Sequence, residues 1–315
     1  MKSDLKSQSL LNLLGVLAVS LCWGVGGPLS WVATQHLPAA ETTFGRCLFA
    51  FIFLLPFFLL DAKKLIEKLK TSGRLMLAGS GLVLGVHFFL FVSGVAYASL
   101  STAVTLVAVE PALILLVGVL GFKEQLKLKS LFGIFLCMGG ILVISVLPHL
   151  LTTASNSKPT RLYGDICAVL AVISYALYYT LNRAFRPHEK NLPGTSTLRR
   201  NFGLASIIYF FAALSSGLLV FISQMSQPHS VEKPSSRVVM ALLGLGVIPT
   251  LLGHTLNQVV SRAAHPIWVS LMSPGETLMA LLLGFVFLGQ TLQSFEAMGG
   301  GLILAGVLLT AWSEV

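Results

Sequence analysis

Apolar residues along this chain neither alternate with polar ones nor recur every third or fourth position. They come in long blocks, at 10–33, 40–60, 75–97, 100–121, 130–148, 163–183, 201–223, 238–260, 266–288 and 295–313. Each block is about 20 residues long, enough for a helix to cross a hydrocarbon layer of roughly 30 Å. No water reaches peptide groups in such a layer, so each block must satisfy its backbone internally, as a helix does. Strands of a membrane barrel would be shorter and would alternate; these blocks do neither. The expected fold class is an all-α membrane protein of ten transmembrane helices. The first block follows Lys2 and Lys6. It exceeds the roughly 7–15-residue core of a signal peptide and is read as a retained helix.

The polar segments between blocks add orientation. With the N-terminus inside and sides alternating, the inner segments hold sixteen Lys and Arg residues. The outer segments hold four, Lys158, Arg161, Lys233 and Arg237, and Arg46 remains within block two. This bias predicts a multi-pass protein of the cell inner membrane with both termini in the cytoplasm. The net charge of +9 is thereby explained by topology, and no nucleic-acid partner is expected. Charged residues make up 10% of the chain, against about 25% in soluble proteins. Cys22, Cys47, Cys137 and Cys167 fall within or beside apolar blocks, in neither metal-ligand nor disulfide spacing, and read as packing residues.

An internal repeat is visible at a shift of 166 residues. Glu110 falls on Glu276, Gly118 on Gly284, Leu126 on Leu292, Gly133 on Gly299 and Gly140 on Gly306, with Glu124 on Gln290. Five helices per half is an odd number, so the second half enters the membrane from the opposite side. Such inverted repeats are a common transporter design, because exchanging the conformations of the halves exchanges the open side. The expected organisation is a first five-helix repeat over 1–148, an external linker over 149–162 and a second repeat over 163–315. The Ser/Thr-rich stretch from Thr152 to Thr160 lies in that linker. One chain holds both halves, so a monomer suffices, with weak dimerisation at most.

Val109-Glu110-Pro111, Gly121-Phe122-Lys123-Glu124, Gly133 and Gly139-Gly140 together resemble the repeat signature of the EamA-type branch of the drug/metabolite transporter superfamily. Trp23-Gly24 resembles that family's early Trp-Gly pair, and Arg46 stands where many members carry an arginine. The resemblance covers nearly the whole chain. It implies ten helices in two halves around a central cavity. Gln290 departs from the acid usual at the end of block nine, and Gly275-Glu276-Thr277 from the usual acid-proline pair. The family's cargoes are diverse, so membership does not name one.

Candidate chemistry follows from polar residues inside apolar blocks. Glu110 and Glu276 lie near the middle of theirs, where a charge costs about 2.5–3.5 kcal/mol on the insertion scale. Two readings stand side by side: they line a cavity and bind a cationic group or a proton, or they bond neighbouring helices. Pro111 and Pro274 would free the carbonyls of Val107 and Ser270, making a polar spot at mid-membrane or a simple kink. Arg46 suits a carboxylate or a glutamate partner, or snorkels to the interface. His87 and His254 lie one position apart in the repeat register and suit a titrating role or helix-to-helix bonds. Trp23 and Tyr175 are candidate cavity walls, Tyr97 and Trp268 candidate interface residues, and Asn257 another polar group in block eight. Gly81 and Gly85 would let a second helix approach. Glu124 reads as an interfacial ion-pair partner of Lys123 or Lys127. Gly79-Ser80-Gly81 lacks a following Lys-Ser/Thr, so no nucleotide site is expected. No cofactor or metal is implied. The resulting expectation is a secondary transporter moving a small organic metabolite, zwitterionic in character, by alternating access. Amino acids and S-adenosylmethionine-like molecules lead the candidates. The alternative is a membrane sensor or scaffold that binds a ligand without translocating it; an enzyme is not expected.

Overall fold

A computed structural model describes residues 2–123, 127–147, 150, 159–189, 192, 197–226, 234–263 and 271–313. Glu124, Lys158, Lys190, Lys233, Trp268, Ser270 and residues 149 and 151–158 of the expected linker lie outside the described residues.

The described residues are helical, with no strand among them. The first span comprises α1 (Lys2–Gly24) and α2 (Gly26–Thr34), and the second α3 (Ala39–Phe57), a π-helical stretch (Phe58–Ala62) and α4 (Lys63–Lys68). The third is α5 (Thr71–Tyr97), the fourth α6 (Leu100–Val107) with α7 (Glu110–Phe122), and the fifth α8 (Leu128–Ser145). In the second half come α9 (Pro159–Glu189) and α10 (Thr197–Ser226). Then follow α11 (Ser236–Leu245), a π-helical stretch (Gly246–Gly253) and α12 (His254–Ala263) as one span, then α13 (Met272–Leu288) and α14 (Ser294–Ser313). Eight spans are long and apolar enough to cross a bilayer, and α13 and α14 supply two shorter apolar ones. The chain is therefore an all-α membrane protein of about ten helices. Leu59, Leu120, Phe132, Phe135 and Phe287 point outward, while Arg46, Asp61, Glu110 and Glu296 are buried. That arrangement suits a lipid surround, where polar side chains must turn inward.

Three details differ from an unbroken ten-block pattern. Block two runs on to Lys68. Block four is two helices, because the chain tightens at Ala108 and Val109, whose N–H groups donate to carbonyls only three residues back. Pro111 is thus the second residue of α7, where a missing N–H costs nothing. Pro274 likewise lies in the first turn of α13 rather than inside a long helix.

The halves meet reciprocally. A Cβ on Gly140 would stand 2.5 Å from the Gly299 carbonyl oxygen, and one on Gly299 would stand 2.7 Å from that of Gly140. One on Gly306 would stand 2.5 Å from the Gly133 oxygen. Gly133 and Gly299, like Gly140 and Gly306, are 166 residues apart, so α8 and α14 present equivalent surfaces to each other, as a two-fold axis requires. The C-caps agree. Lys123 (φ 57°) ends α7 and Gly289 (φ 64°) ends α13, and their N–H groups turn back to the equivalent Gly118 and Gly284 carbonyls. Gly81 and Gly85 abut the backbone of α10 at Ile208 and Ala212, the close approach their spacing predicts.

Polar clamps tie the spans at their ends. Arg199 forks onto buried Asp61 with Nε–Oδ2 at 2.8 Å and Nη2–Oδ1 at 2.9 Å, joining the second span to α10. Elsewhere Glu296 Oε1 accepts hydroxyls from Ser99, Ser101 and Thr102 at 2.9, 2.7 and 2.8 Å. Its Oε2 accepts the Gln293 N–H at 2.8 Å, which caps α14.

Candidate functional site

The site begins with a proline. Pro249 sits inside the π-helical stretch and has no N–H to give the Leu245 carbonyl. Thr250 replaces it, donating its hydroxyl to Leu245 O at 2.6 Å. The Thr250 oxygen then accepts Arg46 Nε at 2.6 Å, and the Thr250 carbonyl accepts the Tyr209 hydroxyl at 2.7 Å. The Arg46 guanidinium carbon lies 3.7 Å from the centre of the Phe88 ring, a cation–π contact. Arg46 is 4% exposed, so it does not snorkel. Its two Nη groups have no protein hydrogen-bond partner among the described residues.

Around this arginine lies a narrow cavity of about 30 Å³. Trp23, Gly26, Arg46, His87, Phe88, Phe91, Val107, Glu110, Tyr175, Pro249, His254 and Glu276 line it. Seven sequence-level candidates thus converge from seven spans of both halves. Asn257 is not among the lining residues; its Oδ1 accepts the Ser261 hydroxyl at 2.9 Å, one turn along α12. Pro111 lies beside the lining residue Glu110, and Pro274 two positions before Glu276.

Glu110 opens α7, where a helix N-terminus favours negative charge, and Glu276 is the fifth residue of α13, just beyond its first turn. Buried Glu110 accepts the Ser273 hydroxyl at 3.0 Å on Oε2, a bond between the halves. Glu276 is part-buried and makes no side-chain hydrogen bond to the described protein. Arg46 and Glu276 both line the cavity, yet no ion pair of 4.0 Å or less joins Arg46 to either acid among the described residues. Gly24 brings α1 against α13 here: a Cβ on it would stand 3.2 Å from the Glu276 carbonyl oxygen.

Rings form the remaining wall. His254 packs on Trp23, Phe88, Tyr178 and Tyr175 with centroids 5.4, 5.7, 6.2 and 6.5 Å away. His87 Nδ1 bonds the Ala171 carbonyl at 2.9 Å, which makes Nδ1 the protonated nitrogen, and its ring lies 5.1 Å from Tyr175. The Trp23 indole N–H is buried without a hydrogen-bond partner. No group of three His, Cys, Asp or Glu among the described residues has the geometry to hold a metal ion.

Thr250, Phe88 and Ser273 were not evident from sequence. Pro249 was a usable signal, since a proline inside an apolar block leaves one carbonyl that another group must satisfy.

The profile of the EamA-like transporter family matches residues 10–146 and again 162–312. The chain belongs to this family. Its relatives bear transporter names. An "Uncharacterized transporter" of Archaeoglobus fulgidus is 29% identical over 280 residues, covering 87% of each chain. "Uncharacterized transporter YxxF" of Bacillus subtilis is 24% identical over 282 residues, covering 87% of this chain and 82% of that one. A "Probable amino-acid metabolite efflux pump" of Salmonella typhimurium is 27% identical over 200 residues, 62% of each. A solved crystal structure, 17% identical, superposes with a TM-score of 0.61 over 96% of each chain and supports the fold alone. EamA-like membership assigns the protein a transporter role in a membrane. Within that frame the cavity offers a fixed cation, two acids and a sleeve of rings between the two matched regions.

Proposed function

We propose that this protein is a secondary transporter of a small zwitterionic metabolite, amino-acid-like in character, working by alternating access. The observation that carries this reading is the pairing of unsatisfied opposite charges in one cavity. Among the described residues, the two Arg46 Nη groups have no hydrogen-bond partner, and neither has the Glu276 carboxylate. A zwitterion bridging them would give each charge its missing hydrogen bonds, and charge-assisted bonds are the stronger ones. Phe88, Tyr175, Trp23 and His254 would hold its apolar part. The cavity lies between halves that meet reciprocally, and two near-equivalent halves can exchange conformations at small cost. The amino-acid efflux name of the Salmonella relative fits this cargo class. We place the protein in the inner membrane with both termini cytoplasmic, on its Lys and Arg bias.

Counterflow in proteoliposomes tests the proposal. Vesicles are loaded with unlabelled amino acids, S-adenosylmethionine, nucleosides, sugars or organic cations, and uptake of each labelled counterpart is followed. Saturable exchange of a zwitterion, lost in Glu276→Gln, is expected. Exchange confined to uncharged sugars, or no exchange by folded protein, overturns the zwitterion reading.

A further inference from the structure

The repeat makes Glu110 and Glu276 equivalent in register, but their surroundings differ. Glu110 receives the Ser273 hydroxyl from the opposite half at 3.0 Å. Ser273 stands three residues before Glu276. The position three residues before Glu110 is Val107, which is 166 residues before Ser273. Val107 lines the same cavity as Glu276 but has no hydroxyl to give. The partner that restrains one acid is therefore absent for the other. Burial follows the same division: Glu110 is 3% exposed, whereas Glu276 is part-buried and lines the cavity with Arg46.

We infer that the two glutamates divide their work. Glu276 is the free acid that meets the cationic group of the cargo, and Glu110 is a positioning residue whose bond to Ser273 fastens α7 to α13. The choice between them is set by the pair at 107 and 273, valine on one side and serine on the other. This rests on the transporter reading for the word cargo, but the difference in carboxylate freedom is a property of the protein alone. A strictly two-fold site would bind a cation equally in two poses related by that rotation. This asymmetry selects one pose and so gives the cavity a direction. The Ser273 bond also leaves Glu110 one lone-pair direction fewer for a ligand.

Modification by a small cationic carbodiimide tests this without knowledge of the cargo. Reconstituted full-length protein is treated with 1-ethyl-3-(3-dimethylaminopropyl)carbodiimide, and the stable adducts at Glu110 and Glu276 are quantified by peptide mass mapping. The hydrogen bond restrains Glu110 and not Glu276, so adduct at Glu276 is expected to exceed that at Glu110 by about tenfold or more. In the exchanged pair Val107→Ser/Ser273→Val the preference is expected to reverse. Equal modification of both acids in the native protein overturns the division, as does preference for Glu110 or absence of adduct at Glu276. In a folded exchanged pair, an unmoved preference overturns the role of positions 107 and 273. None of these results touches counterflow, so the transporter reading stands or falls separately.

Discussion

Arg46 carries its charge into the centre of the bundle because a hydroxyl and an aromatic face receive it. That hydroxyl is committed twice, donating to Leu245 O and accepting from Arg46 Nε, each at 2.6 Å. Thr250→Val keeps the shape and removes both bonds. Leaving two buried groups unpaired is expected to destabilise by about 1–3 kcal/mol. A lower thermal unfolding midpoint in detergent checks this, with Thr250→Ser close to the native value. Arg46→Lys keeps the charge but loses the planar stack on Phe88 and the Nε bond to Thr250. Counterflow is expected to fall by about tenfold or more, since a point charge does not replace a planar fork. The acids and the arginine were legible in the sequence because a charge inside an apolar block demands a reason. Thr250 was not legible. A threonine in a helix ordinarily bonds a carbonyl one turn back within its own segment, and only the π-helical stretch turns this one toward α3. Ser273 was equally silent, since nothing in sequence connects it to Glu110 across 163 residues.

The ten spans were legible because bilayer thickness sets the length of each apolar block, whatever the packing. Breaks within spans were harder to read. Val109-Glu110-Pro111 suggested a kink, and the chain instead ends α6 and starts α7 around a single tightened turn. The π-helical stretch at Gly246–Gly253 had only Pro249 to announce it. One element carries a cost that its repeat partner avoids. Lys123 adopts φ 57° at the cap where Gly289 adopts φ 64°. A side chain in that left-handed conformation costs roughly 1 kcal/mol. Lys123→Gly is expected to raise unfolding stability by about that amount, and Gly289→Lys to lower it similarly, in denaturant or thermal unfolding of the solubilised protein. The signature Gly-Phe-Lys-Glu at 121–124 places Lys123, but only the backbone reveals the strain.

At the scale of the molecule, the repeat was read from a handful of glycines and acids in one register. The structure gives the glycines a physical role. Gly140 and Gly299 let α8 and α14 touch through their backbones. A Cβ at either must displace main chain, so Gly140→Val or Gly299→Val is expected to reduce folded yield severalfold, by overpacking of about 1–3 kcal/mol. Gly139 and Gly301 face open space within 4 Å, and Gly139→Ala or Gly301→Ala is expected to leave yield and counterflow unchanged. Size-exclusion recovery of solubilised protein separates the two sets. The cavity could not be outlined from sequence, because its walls are neighbours only after seven spans have packed. What brings them together is the meeting of two halves, which sets a cation, an acid and a ring of aromatics around one opening.

The most direct measurement is inhibition of counterflow by charge-edited analogues of the exchanged zwitterion. The unmodified molecule is compared with its N-acetyl derivative, which loses the cation, and its methyl ester, which loses the anion. Both edits are expected to weaken inhibition by about tenfold or more, the ester's loss shrinking in Arg46→Gln and the acetyl derivative's in Glu276→Gln. Equal inhibition by all three would contradict a site built from paired opposite charges.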